Sequence, residues 1–165
     1  MQYPQAITAL TEFINSEQIS KNFGLTEISL PFDSDFELLR NQSPNIPKEA
    51  DGIFKYTSGL YFLCSPINDI YYIGKATKGN LHEEIWGKIK TPTRLKTDLL
   101  RYPKNYFLNK NLEEKAVVDI TNGNIKLRVL GMSNPDLASL AEVYIQTLFY
   151  KINGNKLPKL NSRVG

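Results

Sequence analysis

Two segments rich in aromatic and branched residues, Ser58 to Ser65 and Asp69 to Ala76, meet at the short connection Ser65-Pro66-Ile67-Asn68. Runs of this kind read as strands, and so short a connection makes them pair antiparallel. Pro66 suits the second position of a type I turn, which predicts a four-residue hairpin loop. That loop sets the register and places Tyr61 directly opposite Tyr72. Cross-strand partners project from one face with Cβ atoms about 5 Å apart. A single loop thus brings two phenols together.

The rest of the chain must cover this hairpin. Ala6, Leu10, Phe13 and Ile14 recur at helical spacing, and Gly24 follows, which predicts a helix over 5–22. Residues 24–52 carry Pro31, Pro44, Pro47 and Gly52 as breakers, with a short helix at 35–41. Residues 1–52 therefore read as an arm packed on a body spanning 53–165. After the hairpin, Leu81, Ile85 and Ile89 repeat at four with Trp86 beside them, predicting a helix over 80–90 that Pro92 stops. A second short helix is predicted from Thr93 to Arg101. Lys115 to Thr121 and Ile125 to Gly131 read as a second hairpin through Asn122-Gly123. A last helix runs from Pro135 to Ile152, with Asn134 as its cap and Gly154 beyond its end. This order predicts an α+β fold, a small, mostly antiparallel sheet flanked by helices, with an N-terminal helical arm.

Composition narrows the chemistry. A chain of 165 residues fits one domain. Its one cysteine, Cys64, excludes an intramolecular disulfide, and with one histidine, His82, it excludes a Cys/His zinc site. No run of about 18 apolar residues offers a membrane span. The first residues lack the basic and apolar regions of a secretory signal, so the expected compartment is the cytoplasm. A Ser-His or Cys-His hydrolase would have to use His82, and nothing near it resembles a nucleophile elbow.

Charge is unevenly spread. Residues 1–52 carry eight acidic and three basic side chains, whereas residues 75–104 carry eight basic and three acidic. A basic stretch raises the local concentration of polyanions, although a solvated Lys/Arg face is the plainer reading of charge alone.

Glu142 is the informative position of the last helix. The expected core stripe is Leu137, Leu140, Ala141, Tyr144, Leu148 and Ile152, and Glu142 shares an edge with Ala138, Ile145 and Phe149. A carboxylate among apolar positions needs a cation, a metal or hydrogen-bond donors, unless it reaches water at the stripe boundary.

Gly59-Leu60-Tyr61, ten residues, then Tyr72-Ile73-Gly74 resembles the GIY-YIG nuclease family, named for these two tripeptides. Gly74-Lys75-Ala76 continues the match, and it looks like the nuclease domain found at the start of a bacterial excinuclease. The resemblance extends to Glu142 on the late helix and to Asn161 in Leu157-Pro158-Lys159-Leu160-Asn161, and it covers residues 53–165. It implies a divalent-metal-dependent endonuclease that hydrolyses DNA phosphodiesters. One Mg²⁺ or Mn²⁺ would be held by Glu142 as the single protein ligand, with no small-molecule cofactor and no membrane partner. Tyr61 or Tyr72 would orient or deprotonate water, and Asn161 would hold the phosphate or order the glutamate. The C-terminal helix is expected to bring Glu142 to the tyrosine face of the sheet.

The chain departs from the family pattern in one respect. The helix Asn80 to Lys88 contains no arginine; His82 lies near the expected place, and another alignment puts Glu84 at the arginine and Lys88 at the histidine. Lys88, Arg94 or Lys75 must then supply the positive charge, or the site is impaired. A Lys75 ammonium would lower a phenol's pKa, yet strand alternation points it away from Tyr72. Lys88, Lys90, Arg94, Lys96 and Arg101 are candidates for tracking a phosphate backbone. The alternative is an impaired member of the same fold that binds nucleic acid or a protein partner. Monomer and homodimer both remain open.

Overall fold

The computed structural model describes residues 1–23, 32–35, 58–79, 81, 84–85, 93–94, 100–101, 119, 124–161 and 163–165, with 32–35, 93–94 and 100–101 described as backbone. The architecture is α+β. Helices α1 (Tyr3–Ile14) and α2 (Glu17–Phe23) replace the single helix expected over 5–22. The break falls at Asn15-Ser16, where the Ser16 hydroxyl donates to the Phe13 carbonyl at 2.7 Å. Short polar side chains offer the backbone such alternatives to a continuing helix.

Strand β1 (Phe32–Asp35) lies where irregular chain was expected. Its Asp-Ser-Asp sequence has low strand propensity, so pairing decides its conformation. β2 (Ser58–Cys64) and β3 (Ile70–Ala76) are the predicted hairpin. β4 (Thr93–Arg94) and β5 (Leu100–Arg101) pair with each other where a helix was predicted over 93–101. β-branched Thr93 has a lower helix propensity and fits extended chain, which here prevails over the helical spacing of the leucines. β6 (Lys126–Met132) is followed by α3 (Pro135–Ile152), which has the predicted bounds and the predicted cap. The Asn134 carbonyl oxygen accepts from the Asp136 and Leu137 amides at 2.9 and 3.1 Å.

The main sheet has the order β1-β6-β2-β3, antiparallel throughout. β6 is flanked on both sides, by β1 and β2, which leaves no place for the second hairpin expected before it. Asp119, assigned to that hairpin, is helical; Asn122-Gly123 lies outside the described residues, as does most of the predicted helix over 35–41. Leu81, Glu84 and Ile85 are helical within the predicted 80–90 helix.

One face of the sheet presents Leu60, Phe62, Ile73, Leu130 and Met132 to Ala6, Leu10 and Ile14 of α1 and to Ala138, Ala141 and Ile145 of α3. Full burial of one such large apolar side chain is worth about 1.5–3 kcal/mol. Helix α1 is thus part of the core, joined to α3 by a stacked Phe13–Tyr144 pair at 4.1 Å. The buried face of α3 is Leu137, Ala138, Ala141, Glu142, Ile145, Gln146 and Phe149. It is turned towards Glu142 relative to the predicted stripe, leaving Leu140 and Ile152 exposed. α3 packs on the sheet as well as on α1, so its buried sector reaches beyond the α1 side. No helix among the described residues is long and apolar enough to cross a membrane.

Candidate functional site

The hairpin register differs from the one predicted from the loop. Tyr61 pairs with Gly74, and Tyr72 pairs with Leu63. Two one-residue shifts produce this. The loop closes as Ser65 to Asp69, whose carbonyl accepts from the Ser65 amide at 2.8 Å, with Asn68 in a left-handed conformation at φ 73°. A bulge opposite Leu63/Cys64 then adds a residue to β3. One shift would send the two tyrosines to opposite faces; two return them to the same face as diagonal neighbours. Their ring centroids are 5.9 Å apart.

Gly74 makes this contact possible. A Cβ at that position would lie 2.5 Å from Tyr61 Cζ, 2.6 Å from Tyr61 Oη and 2.7 Å from Tyr72 Cε1. The Tyr61 ring therefore lies across the bare backbone of its partner strand. Gly59 is also fixed by its surroundings: its φ is +151°, and a Cβ there would collide with the Leu130 carbonyl oxygen.

Glu142 comes from the other side. α3 packs on the face carrying Ile73, opposite the tyrosines, so the helix does not lie on the tyrosine face as expected. The carboxylate and the phenols nevertheless line one cleft of about 520 Å³ with Lys75 and Asn161. Lys75 obeys strand alternation and points to the α3 side. Its Nζ lies 2.7 Å from Glu142 Oε2. That oxygen is buried and makes no hydrogen bond, so the contact is an ion pair outside hydrogen-bonding geometry.

The edge at Ile73 organises the cleft. Asn161 accepts from the Ile73 amide through Oδ1 at 2.9 Å and donates to the Ile73 carbonyl through Nδ2 at 2.8 Å. Gln146 Nε2 donates to the same carbonyl at 3.2 Å. The Leu160 amide donates to the Tyr71 carbonyl at 2.8 Å, so the C-terminal segment covers the edge strand. Asn161 was expected to hold phosphate or order Glu142; its amide is instead engaged by backbone, and its place is that of a positioning residue.

Burial raises the Tyr61 phenol well above its ordinary pKa, helped by Tyr72, by the nearby Glu84 carboxylate, by the hydrogen bond shared with Tyr72 and by Glu142. As alternation predicts, Lys75 gives no help to a Tyr61 phenolate, because its ammonium is directed to Glu142. Tyr61 is held protonated.

Of the remaining sequence candidates, His82, Lys88, Lys90 and Lys96 lie outside the described residues, and Arg94 and Arg101 are described as backbone only, in β4 and β5. The cleft also contains Glu84, which one of the two alignments set at the arginine position, and Gln146, Lys78 and Arg163, which were not among the sequence candidates. Gln146 was within reach of the sequence reading, since it follows Glu142 by one helical turn. Arg163 follows Asn161 by two residues, and no pattern in the sequence marked it.

No group of three His, Cys, Asp or Glu side chains gathers among the described residues. The donor set fits a hard divalent cation held by one carboxylate and several waters once Lys75 gives up Glu142 Oε2, the buried oxygen it now pairs with, and the cleft has room for water. No family model, curated protein or solved structure matches this chain.

Proposed function

We propose that the chain is a divalent-metal-dependent endonuclease of the GIY-YIG type, hydrolysing phosphodiester bonds in DNA. One observation carries this reading: the tyrosines of two adjacent GLY and YIG tripeptides share a cleft with a buried glutamate from a distant helix. The tripeptides account for that geometry. Gly59 and Gly74 permit close backbone and ring approaches that a Cβ would block, while each tyrosine supplies a phenol.

Glu142 would hold the metal, Mg²⁺ or Mn²⁺, which when bound polarises the phosphate and acidifies water. The protein's own groups then have distinct tasks. Tyr61, kept neutral, orients the attacking water or donates to a non-bridging oxygen; it is a poor base in this environment. Tyr72, less deeply buried, completes the phenol pair. Lys75 supplies an ammonium beside Glu142, from which it can turn to the substrate once the carboxylate is otherwise neutralised.

The test is conversion of supercoiled plasmid to nicked circle in Mg²⁺ or Mn²⁺. Cleavage that stops in EDTA supports the reading. A protein that binds plasmid but never nicks it supports the alternative of a nucleic-acid-binding module. The Lys75–Glu142 ion pair favours that alternative, since it already satisfies the carboxylate's charge.

A further inference from the structure

We propose that Arg163 holds the substrate phosphate in this cleft, an inference that rests on the phosphodiester reading above. Among the described residues, three side-chain cations line the cleft: Lys75, Lys78 and Arg163. Lys75 is paired with Glu142. Lys78 and Arg163 are exposed and form no ion pair among the described residues. They differ in how the fold holds them. Lys78 sits in the bend that follows β3, beside Gly79 at φ 68°.

Arg163 lies between two anchors. Two residues before it, Asn161 grips both polar groups of Ile73. Two residues after it, the Gly165 amide donates to Gln146 Oε1 at 2.8 Å. Gln146 in turn donates to Ile73. The backbone on either side of Arg163 is therefore tied to the β3 edge, beside Glu142. A planar guanidinium with its donors in a fixed fork matches a phosphate's paired oxygens better than a point-charge ammonium does. The anchors explain the otherwise unassigned Gln146: it is one turn from the proposed metal ligand and fixes the segment that carries the arginine.

The experiment uses the full chain and a labelled DNA duplex. Affinity is measured in EDTA across a salt series, and single-turnover cleavage is measured in Mg²⁺. Arg163→Ala should reduce the slope of log affinity against log salt by about one. It should slow cleavage by about 100-fold, a loss of the order seen when one transition-state donor is removed. Arg163→Lys should restore the salt slope and leave cleavage slow, which a purely electrostatic role would not produce. Lys78→Ala should change cleavage less than Arg163→Ala. An Arg163→Ala protein with the parent's salt slope overturns the assignment, whether or not the parent cuts DNA. A parent that binds without cutting overturns hydrolysis alone, and a parent with no affinity for DNA overturns both.

Discussion

Gly74 stands directly opposite Tyr61, and the phenol ring occupies the space a side chain at 74 would need. Tyr61 is almost completely buried, so the ring has no free path away from an added methyl. Gly74→Ala should cost about 1–3 kcal/mol by overpacking. It should also separate the two phenols and slow cleavage more than the stability loss explains. Urea unfolding beside single-turnover rates of the folded protein checks this.

The phenol makes a pH prediction. The folded-state pKa of Tyr61 is raised, so the native state retains a proton that the unfolded chain releases above about pH 10. Its contribution to stability is fully present below that pH and is lost as pH rises further. Tyr61→Phe should flatten the alkaline fall in stability, and it should remove one phenol from those that resist ionisation above pH 10 in an ultraviolet titration of the parent. A Tyr61 that titrates with the exposed phenols contradicts the burial argument.

Lys75 and Glu142 should respond unequally to neutralisation. The glutamate side chain is 7% exposed and the lysine 30%. Lys75→Met strands a buried carboxylate, whereas Glu142→Gln leaves an ammonium that can turn to water. The lysine variant should therefore be the less stable, by about 1–3 kcal/mol, the usual range for an uncompensated buried group. Added Mg²⁺ or Mn²⁺ should restore part of that loss if Glu142 holds the cation. Thermal melts with and without metal report it independently of cleavage.

Asn161→Ala removes two hydrogen bonds to Ile73. A net contribution of about 0.5–1.5 kcal/mol for each sets the expected destabilisation. Since the same bonds hold the segment bearing Arg163, DNA affinity should fall with them. Hydrogen exchange at the Ile73 amide should accelerate. An Asn161→Ala protein with parental protection there contradicts its positioning role.

The sequence was most legible where local rules act alone. The bounds and cap of α3 follow from Asn134, Pro135 and an apolar face within one continuous segment. The β2–β3 hairpin was readable for the same reason, and its register failed on two features with little local signal: the left-handed Asn68 and the bulge opposite Leu63/Cys64. β1 was hidden because an Asp-Ser-Asp strand owes its conformation to β6, far along the chain. The two tyrosines were placed on one face by a register that the structure does not have, and two compensating shifts return them to it; helical spacing set Glu142 beside apolar positions without deciding between burial and water, and it is buried. That phenols and carboxylate line one cleft from opposite faces of the sheet was not legible, because it depends on which strand is left at the edge. Nor was the engagement of Asn161 by Ile73, a contact between residues 88 positions apart.

The central claim is that Glu142 carries metal-dependent hydrolysis in this cleft. Parent and Glu142→Gln proteins should be compared on one DNA duplex, with single-turnover cleavage in Mg²⁺ and Mn²⁺ and affinity measured in EDTA. The variant should lose cleavage in both metals and bind DNA as well as the parent or better, since a carboxylate that repels phosphate is gone. A Glu142→Gln protein that cleaves as fast as the parent contradicts the claim.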